Sequence, residues 1–166
     1  ARLLDDYLAS SLRRFHWHFY STRHDPSESW PQTYACTPLD SLPPCARHLL
    51  TQPNDLLLKP AGIQLLTRCL LALGWHPRHI AGLIRSKYED PRHQWGVKWS
   101  DYEPATRADF YTRLFAGLHL TGLDELVDFN CTSNREKGFC FDPGDGSCSL
   151  EPFRAILLTR LAHDHA

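Results

Sequence analysis

The sequence predicts a mainly α protein folded as a single helical domain, and three observations carry that reading. Leu far outnumbers Val and Ile, a balance that favours helix over sheet. Apolar residues recur at helical spacing in several separate stretches. Pro60, Pro77 and Pro104 stand where those stretches begin, and Gly74 and Gly122 stand where two of them stop, the positions at which a helix tolerates them. At 166 residues and 42% apolar content the chain can bury a core without external staples.

Residues 1–20 read as an N-terminal helix with Leu3, Leu4, Tyr7, Leu8, Leu12, Phe15 and Phe19 at helical spacing. A Pro-rich connector follows over 21–59, with Cys36, Cys45 and a short helical turn from Ala46 to Leu50. Residues 60–129 form the helical core. Its first helix, about 60–74, is apolar nearly all round and therefore buried. The second, Pro77–Tyr88, sets Ile80, Leu83, Ile84 and Tyr88 on one face. The stretch 89–104, with Trp95, Trp99 and Tyr102, reads as a loop or small sheet. A helix over 104–120, opened by Pro104, carries Phe110, Leu114 and Leu118, and Leu123–Phe129 extends it past Gly122. Residues 130–149 make a cysteine loop, and 150–166 a C-terminal helix.

The formal charge is −1 with ten histidines neutral, so no global basic field advertises nucleic acid, and a local patch would have to hold it. No apolar run approaches the roughly 18 residues of a membrane span, and no signal-peptide core precedes the first helix; a cytoplasmic setting without a membrane partner is expected. The chain has no Met, which points to an excised domain or a processed chain. No repeat or low-complexity tract appears.

Four of the six cysteines are the most specific feature. Cys45 closes a Leu-Pro-Pro-Cys segment, and after 85 further residues comes Cys131-x8-Cys140-x7-Cys148. These four lie among Pro, Asn, Gly and Asp, whereas Cys69 sits in a leucine run and reads as core, and Cys36 has no assigned role. Disulfides are one alternative, although they belong mainly to small chains without a core. Zinc is another, but its usual knuckles leave two to four residues between ligands. The longer loops here lean towards a [4Fe–4S] cluster, reached from several directions.

The order Pro-Pro-Cys, leucine-rich helix ending in Gly, second helix, Cys-x8-Cys and a further Cys resembles the C-terminal iron–sulfur domain of archaeo-eukaryotic primase large subunits. The resemblance covers about residues 42–150. It implies that Cys45, Cys131, Cys140 and Cys148 are the cluster ligands, that single-stranded or primer–template DNA or RNA is bound, and that a separate polymerising primase subunit or domain is the partner. Family members carry His and Arg soon after the first ligand; this chain has Asn54-Asp55-Leu56-Leu57-Leu58-Lys59. No nucleotidyl-transfer carboxylates are evident, so the chain reads as an accessory domain without its own catalytic centre.

Arg85, Lys87 and Arg92, then Lys98, are interleaved with Tyr88, Trp95 and Trp99. Cations beside flat rings are the components of a single-strand platform, and Arg135 and Lys137 in the cysteine loop would extend it. The rival reading is a metal- or disulfide-stabilised helical module that binds protein through Trp95, Trp99 and Tyr102. Weaker candidates are His16, His18 and His24 as metal ligands, a Cys–His nucleophile, and Asp142-Pro-Gly-Asp-Gly-Ser as a calcium loop, which lacks the closing Glu.

Overall fold

The computed structural model describes residues 2–52, 55–93, 101, 103–142, 144 and 148–164. These build helices α1 (Arg2–Ala9), α2 (Ser11–Tyr20), α3 (Pro44–Thr51), α4 (Asp55–Leu58), α5 (Pro60–Ala72), α6 (Pro77–Tyr88), α7 (Pro104–Leu120), α8 (Cys131–Glu136) and α9 (Glu151–Asp164). Single 3-10 turns lie at Ser27–Ser29 and Pro91–His93, and there is no strand among the described residues.

Helix α5 is the axis. It packs against α3, α4, α6, α7 and α9, which is why apolar residues run all round it and Ile63, Leu66, Cys69 and Leu70 are buried. Pro60 occupies its first turn, where a missing N–H costs nothing. At its far end Gly74 takes φ +86°, and the Gly74 and Trp75 amides donate to the Leu71 and Leu70 carbonyls at 2.9 and 3.0 Å. That closes the helix with a left-handed cap and reverses the chain into α6.

Within α5 one charged residue is buried. Arg68 donates from Nε and Nη2 to the two Asp124 oxygens at 2.8 and 2.6 Å, and from Nη1 to Asp128 Oδ1 at 2.9 Å. Phe129 lies under the guanidinium, 5.5 Å from its ring centre. Asp124 Oδ1 also accepts the Leu126 amide at 3.1 Å, which holds Leu126 at the unusual φ of +55°. Residues 123–129 are therefore a tethered turn, and the expected helical extension of α7 does not form.

Three other expectations are corrected. The single helix over residues 1–20 breaks at Ser10, whose Oγ accepts the Arg13 amide at 3.3 Å and caps α2. Phe15 and Phe19 are buried, but Leu3 is 86% exposed, and Leu4, Leu8 and Leu12 are exposed with it. In α7 the buried side is Ala108, Thr112, Ala116 and His119, while Phe110 and Leu114 face outward: close approach of α6 and α5 selects small residues for the contact. The cysteine loop is not wholly irregular, because Asn130 Oδ1 accepts the Ser133 amide at 2.9 Å and starts α8 at Cys131.

The connector docks on α6 through polar contacts. Tyr34 accepts the Asp25 amide at 2.9 Å and shares a hydrogen bond with His79 Nδ1 at 2.9 Å; burial and the Asp25 charge push its phenol up to about 12, against the lowering bond from Asp25. Arg85 Nη1 donates to His24 Nε2 at 3.1 Å and lies over the Trp30 ring. This close approach exists because residue 82 is Gly: a Cβ there would strike the Tyr34 hydroxyl and lie 2.6 Å from His24 Cβ.

Replacing Arg68 by Met is expected to cost about 3–5 kcal/mol in urea unfolding, because the buried Asp124 loses its counter-charge; adding Asp124→Asn should recover part of it. Gly82→Ala should cost about 1–3 kcal/mol by overpacking, with faster hydrogen exchange confined to the connector around residues 24–36.

Candidate metal centre and basic face

Cys45 is buried in the first turn of α3, which Pro43 and Pro44 start without a side-chain cap. Asn134 of α8 points its amide at Cys45 Sγ, 3.7 Å away, and so carries the N-terminus of α8, with Cys131, towards α3. The Cys45 thiol is pushed up to about 12, first by burial and then by the neighbouring charges of Cys148 and Cys131. Cys69 of α5 is raised well above the ordinary thiol value, first by burial and then by Cys45, with a smaller contribution from Cys148. Cys45, Cys131 and Cys148 thus share one electrostatic neighbourhood, with Cys69 at its floor.

Cys140 is drawn towards the same end by its two neighbours. Phe139 is buried against Gly62 of α5, and Phe141 stacks on His48, one turn after Cys45 in α3, with ring centres 3.5 Å apart. Cys140 itself is half-buried. Cys36 lies apart on the connector, exposed, its thiol donating to the Gln32 carbonyl at 2.8 Å. No disulfide joins any of the six cysteines.

Among the described residues no three His, Cys, Asp or Glu side chains converge closely enough to hold a metal ion. A single tetrahedral zinc asks for sulfurs only about 3.8 Å apart, from its roughly 2.3 Å bonds. A four-iron cubane is met at four separate corners and needs a wider opening. The donor set, all sulfur, is chemically suited to iron–sulfur or zinc and unsuited to magnesium or calcium. The histidines at 16, 18 and 24 do not gather: His16 bonds Tyr7, His24 bonds Arg85, and His18 stacks with His76.

The residues proposed for a basic face divide. Tyr88 is 2% exposed and donates to the Leu57 carbonyl at 2.6 Å, so it is a core residue and no stacking platform. Arg85 is engaged with Glu89 at 2.8 Å and with His24. Arg92 is exposed beside Asp90, whose carboxylate it binds. Lys87 is half-buried on the same turn, and burial lowers its ammonium despite Asp90. Arg135 is exposed on α8, and Lys137 pairs with Asp128. Trp95, Lys98, Trp99 and Tyr102 lie outside the described residues.

Comparison with known proteins finds no matching family model, no matching curated protein and no matching solved structure. No helix among the described residues is long and apolar enough to cross a membrane. Arg68 and Asn134 are the side chains that sequence reading missed. A charged residue inside an otherwise apolar helix such as Leu65–Leu73 was the available signal for the first; nothing short of the fold marks the second.

Two histidines at this end and the opposite one set a pH response. Burial lowers His48, and burial with the nearby His18, His79 and Arg78 charges lowers His76, outweighing its bond to the His18 carbonyl. His76 Nδ1 accepts the Arg78 amide at 3.1 Å, capping α6, so protonation there removes the cap. Folded values below the unfolded value of about 6.5 mean that the unfolded chain takes up protons first. Stability is then fully present above about pH 6.5 and is lost as pH falls through the folded values. The melting temperature should fall from pH 7 to 5, and His76→Gln should flatten that fall. Asp128 acts in a lower window: Lys137 and Arg68 outweigh its burial and hold it below 3.8.

Proposed function

We propose that this chain is an iron–sulfur-cluster accessory domain that binds nucleic acid, similar to the C-terminal domain of primase large subunits. Cys45, Cys131, Cys140 and Cys148 hold a [4Fe–4S] cluster, and single-stranded or primer–template DNA or RNA is engaged beside it. What supports the reading above all is the neighbourhood of Cys45, a buried thiol on which the charges of Cys131 and Cys148, both far off in sequence, act. Cys140 is held between two aromatic anchors at the same end. A bound cation offsets the repulsion among such thiolates, so metal binding and folding of this end are coupled. When bound, the cluster supplies a rigid cross-link between the connector, α8 and the segment before α9. Arg135 on α8, and Arg92 with Lys87 at the end of α6, are the described cations for phosphate.

A second reading, a helical module that binds protein, draws on a different observation. Leu3 and Trp17 are 86% and 80% exposed, and Leu4, Leu8, Leu12 and Tyr20 are exposed with them on α1 and α2. Such a patch is large for a chain standing alone.

Protein purified without oxygen is expected to be brown, with about four irons and four sulfides per chain. Cys45→Ser should lose the iron, while Cys36→Ser keeps it. One zinc in colourless protein would replace the cluster with the alternative metal; paired thiols without metal would sink both. Affinity for an oligothymidylate should fall steeply with salt, by about 0.7 log units per log unit of salt for each phosphate contact, and Arg135→Ala should lower that slope. Salt-independent, weak DNA binding would leave the protein-binding module.

A further inference from the structure

A cavity of about 650 Å³ opens between the connector and the C-terminal turn of α6, away from the cysteine end. Trp30, Pro31 and Pro91 give it apolar walls, Cys36 lies on one side, and Lys87 and Arg92 stand on the other. The volume is that of a small-molecule site. Its charge balance is uneven in a specific way. Glu89 is taken up by Arg85 at 2.8–2.9 Å, and Asp90 is clasped by the Arg92 guanidinium and amide. Both nearby carboxylates are thus committed to arginines. Lys87 makes no hydrogen bond or ion pair with the described residues, and it is half-buried at the cavity wall. The Asp90 charge acts on Lys87 but is already held by Arg92, and a partly desolvated ammonium on a cavity wall, unpaired among the described residues, is a site for an anion.

The aromatic wall is rigid as well as flat. Trp30 spends its indole N–H on the Asp25 carbonyl at 2.8 Å, and the Arg85 guanidinium sits 5.9 Å from its ring centre. The ring is therefore held in place before any ligand arrives, which lowers the cost of stacking on it. An anion alone would leave the apolar walls wet, and an aliphatic anion would not use the ring. A ligand with a flat heterocycle at one end and a phosphate at the other satisfies both.

We propose that this cavity binds a nucleoside phosphate, with its base against Trp30 and its phosphate at Lys87 and Arg92. The ligand is either a free nucleotide or one unstacked nucleotide of a single strand, since both present the same chemistry. The proposal goes beyond the function proposed above, because it requires neither a metal cluster nor a primase partner. A duplex, with its bases paired and stacked, would not enter.

Cys36 provides an internal reporter, because its exposed thiol lines the cavity. The rate of Cys36 alkylation by iodoacetamide would be followed by peptide mass spectrometry on the full chain. Adenosine monophosphate, adenosine triphosphate and a ten-residue oligothymidylate are the probes, and inorganic phosphate is the control. With ligand several times above its Kd, alkylation should slow on the order of fivefold by mass action. Phosphate alone should leave the rate unchanged. Lys87→Ala should abolish the protection at unchanged melting temperature, and Trp30→Phe, which keeps a ring, should retain part of it. Protection by nucleotides identifies a free-nucleotide site; protection by the oligonucleotide alone identifies a strand site. No protection by any probe, or equal protection in Lys87→Ala, overturns the proposal. Iron content, measured on the same samples, reports separately on the cluster.

Discussion

The fold hangs on one buried ion pair. Arg68 stands in the second half of the central helix, among the buried Leu65, Leu66, Cys69, Leu70 and Leu71. Once α5 is surrounded, that guanidinium cannot reach water, so a carboxylate has to come to it. Asp124 does so with both oxygens, and Asp128 takes the remaining Nη1. The consequence runs outward. Asp124 also accepts the Leu126 amide and Asp128 also binds Lys137, so residues 124–137 are anchored to α5 at Arg68 and braced from within. Asn130 and α8 lie inside this pinned run, and Asn134 of α8 reaches Cys45. The position of the cysteine end is thus set from the centre of the molecule.

The two ends of the bundle are closed by different means. At the end of α5 bearing Gly74, backbone hydrogen bonds, the His76 cap on α6 and the docking of Arg160 onto the Leu71 carbonyl do the work. Little beyond the chain itself is needed there. At the other end the segments carrying Cys131, Cys140 and Cys148 have one short helix and two aromatic anchors, His48–Phe141 and Phe139 over α5. Regular hydrogen bonding supplies less of the order. On the function proposed here, metal ligation supplies the remainder, and the cost of bringing thiolates together is what ties that order to the metal.

Helices α5, α6 and α7 were legible in the sequence almost to the residue. Their starts are marked by Pro60, Pro77 and Pro104 and the end of α5 by Gly74, signals that act through local backbone sterics and do not depend on what packs outside. Faces were less legible than ends. Tyr88 reads equally well as a stacking ring or as core, and its hydroxyl bond to the Leu57 carbonyl, which removes it from the surface, depends on α4, 31 residues away. Phe110 and Leu114 carry the apolar spacing of α7, and large apolar residues are usually buried. Helix crossing close enough to need Ala108, Ala116 and Gly117 reversed that. In α1 the periodicity was real, but Leu3, Leu4 and Leu8 stay exposed among the described residues.

The cysteines show the same division between what pattern can and cannot carry. Their loop surroundings separated Cys45, Cys131, Cys140 and Cys148 from Cys69 by composition alone. Yet Cys69, read as plain core and indeed fully buried, lies close enough to Cys45 and Cys148 for their charges to act on it. On the function proposed above, a buried thiol beside a ligand set is not inert packing, because it sets the polarity next to the ligands. A charged side chain at 69 would then oppose the thiolates. A small, weakly polar group is the residue type that a site of several thiolates would tolerate there. On that function the core position of Cys69 and its nearness to Cys45 are one constraint.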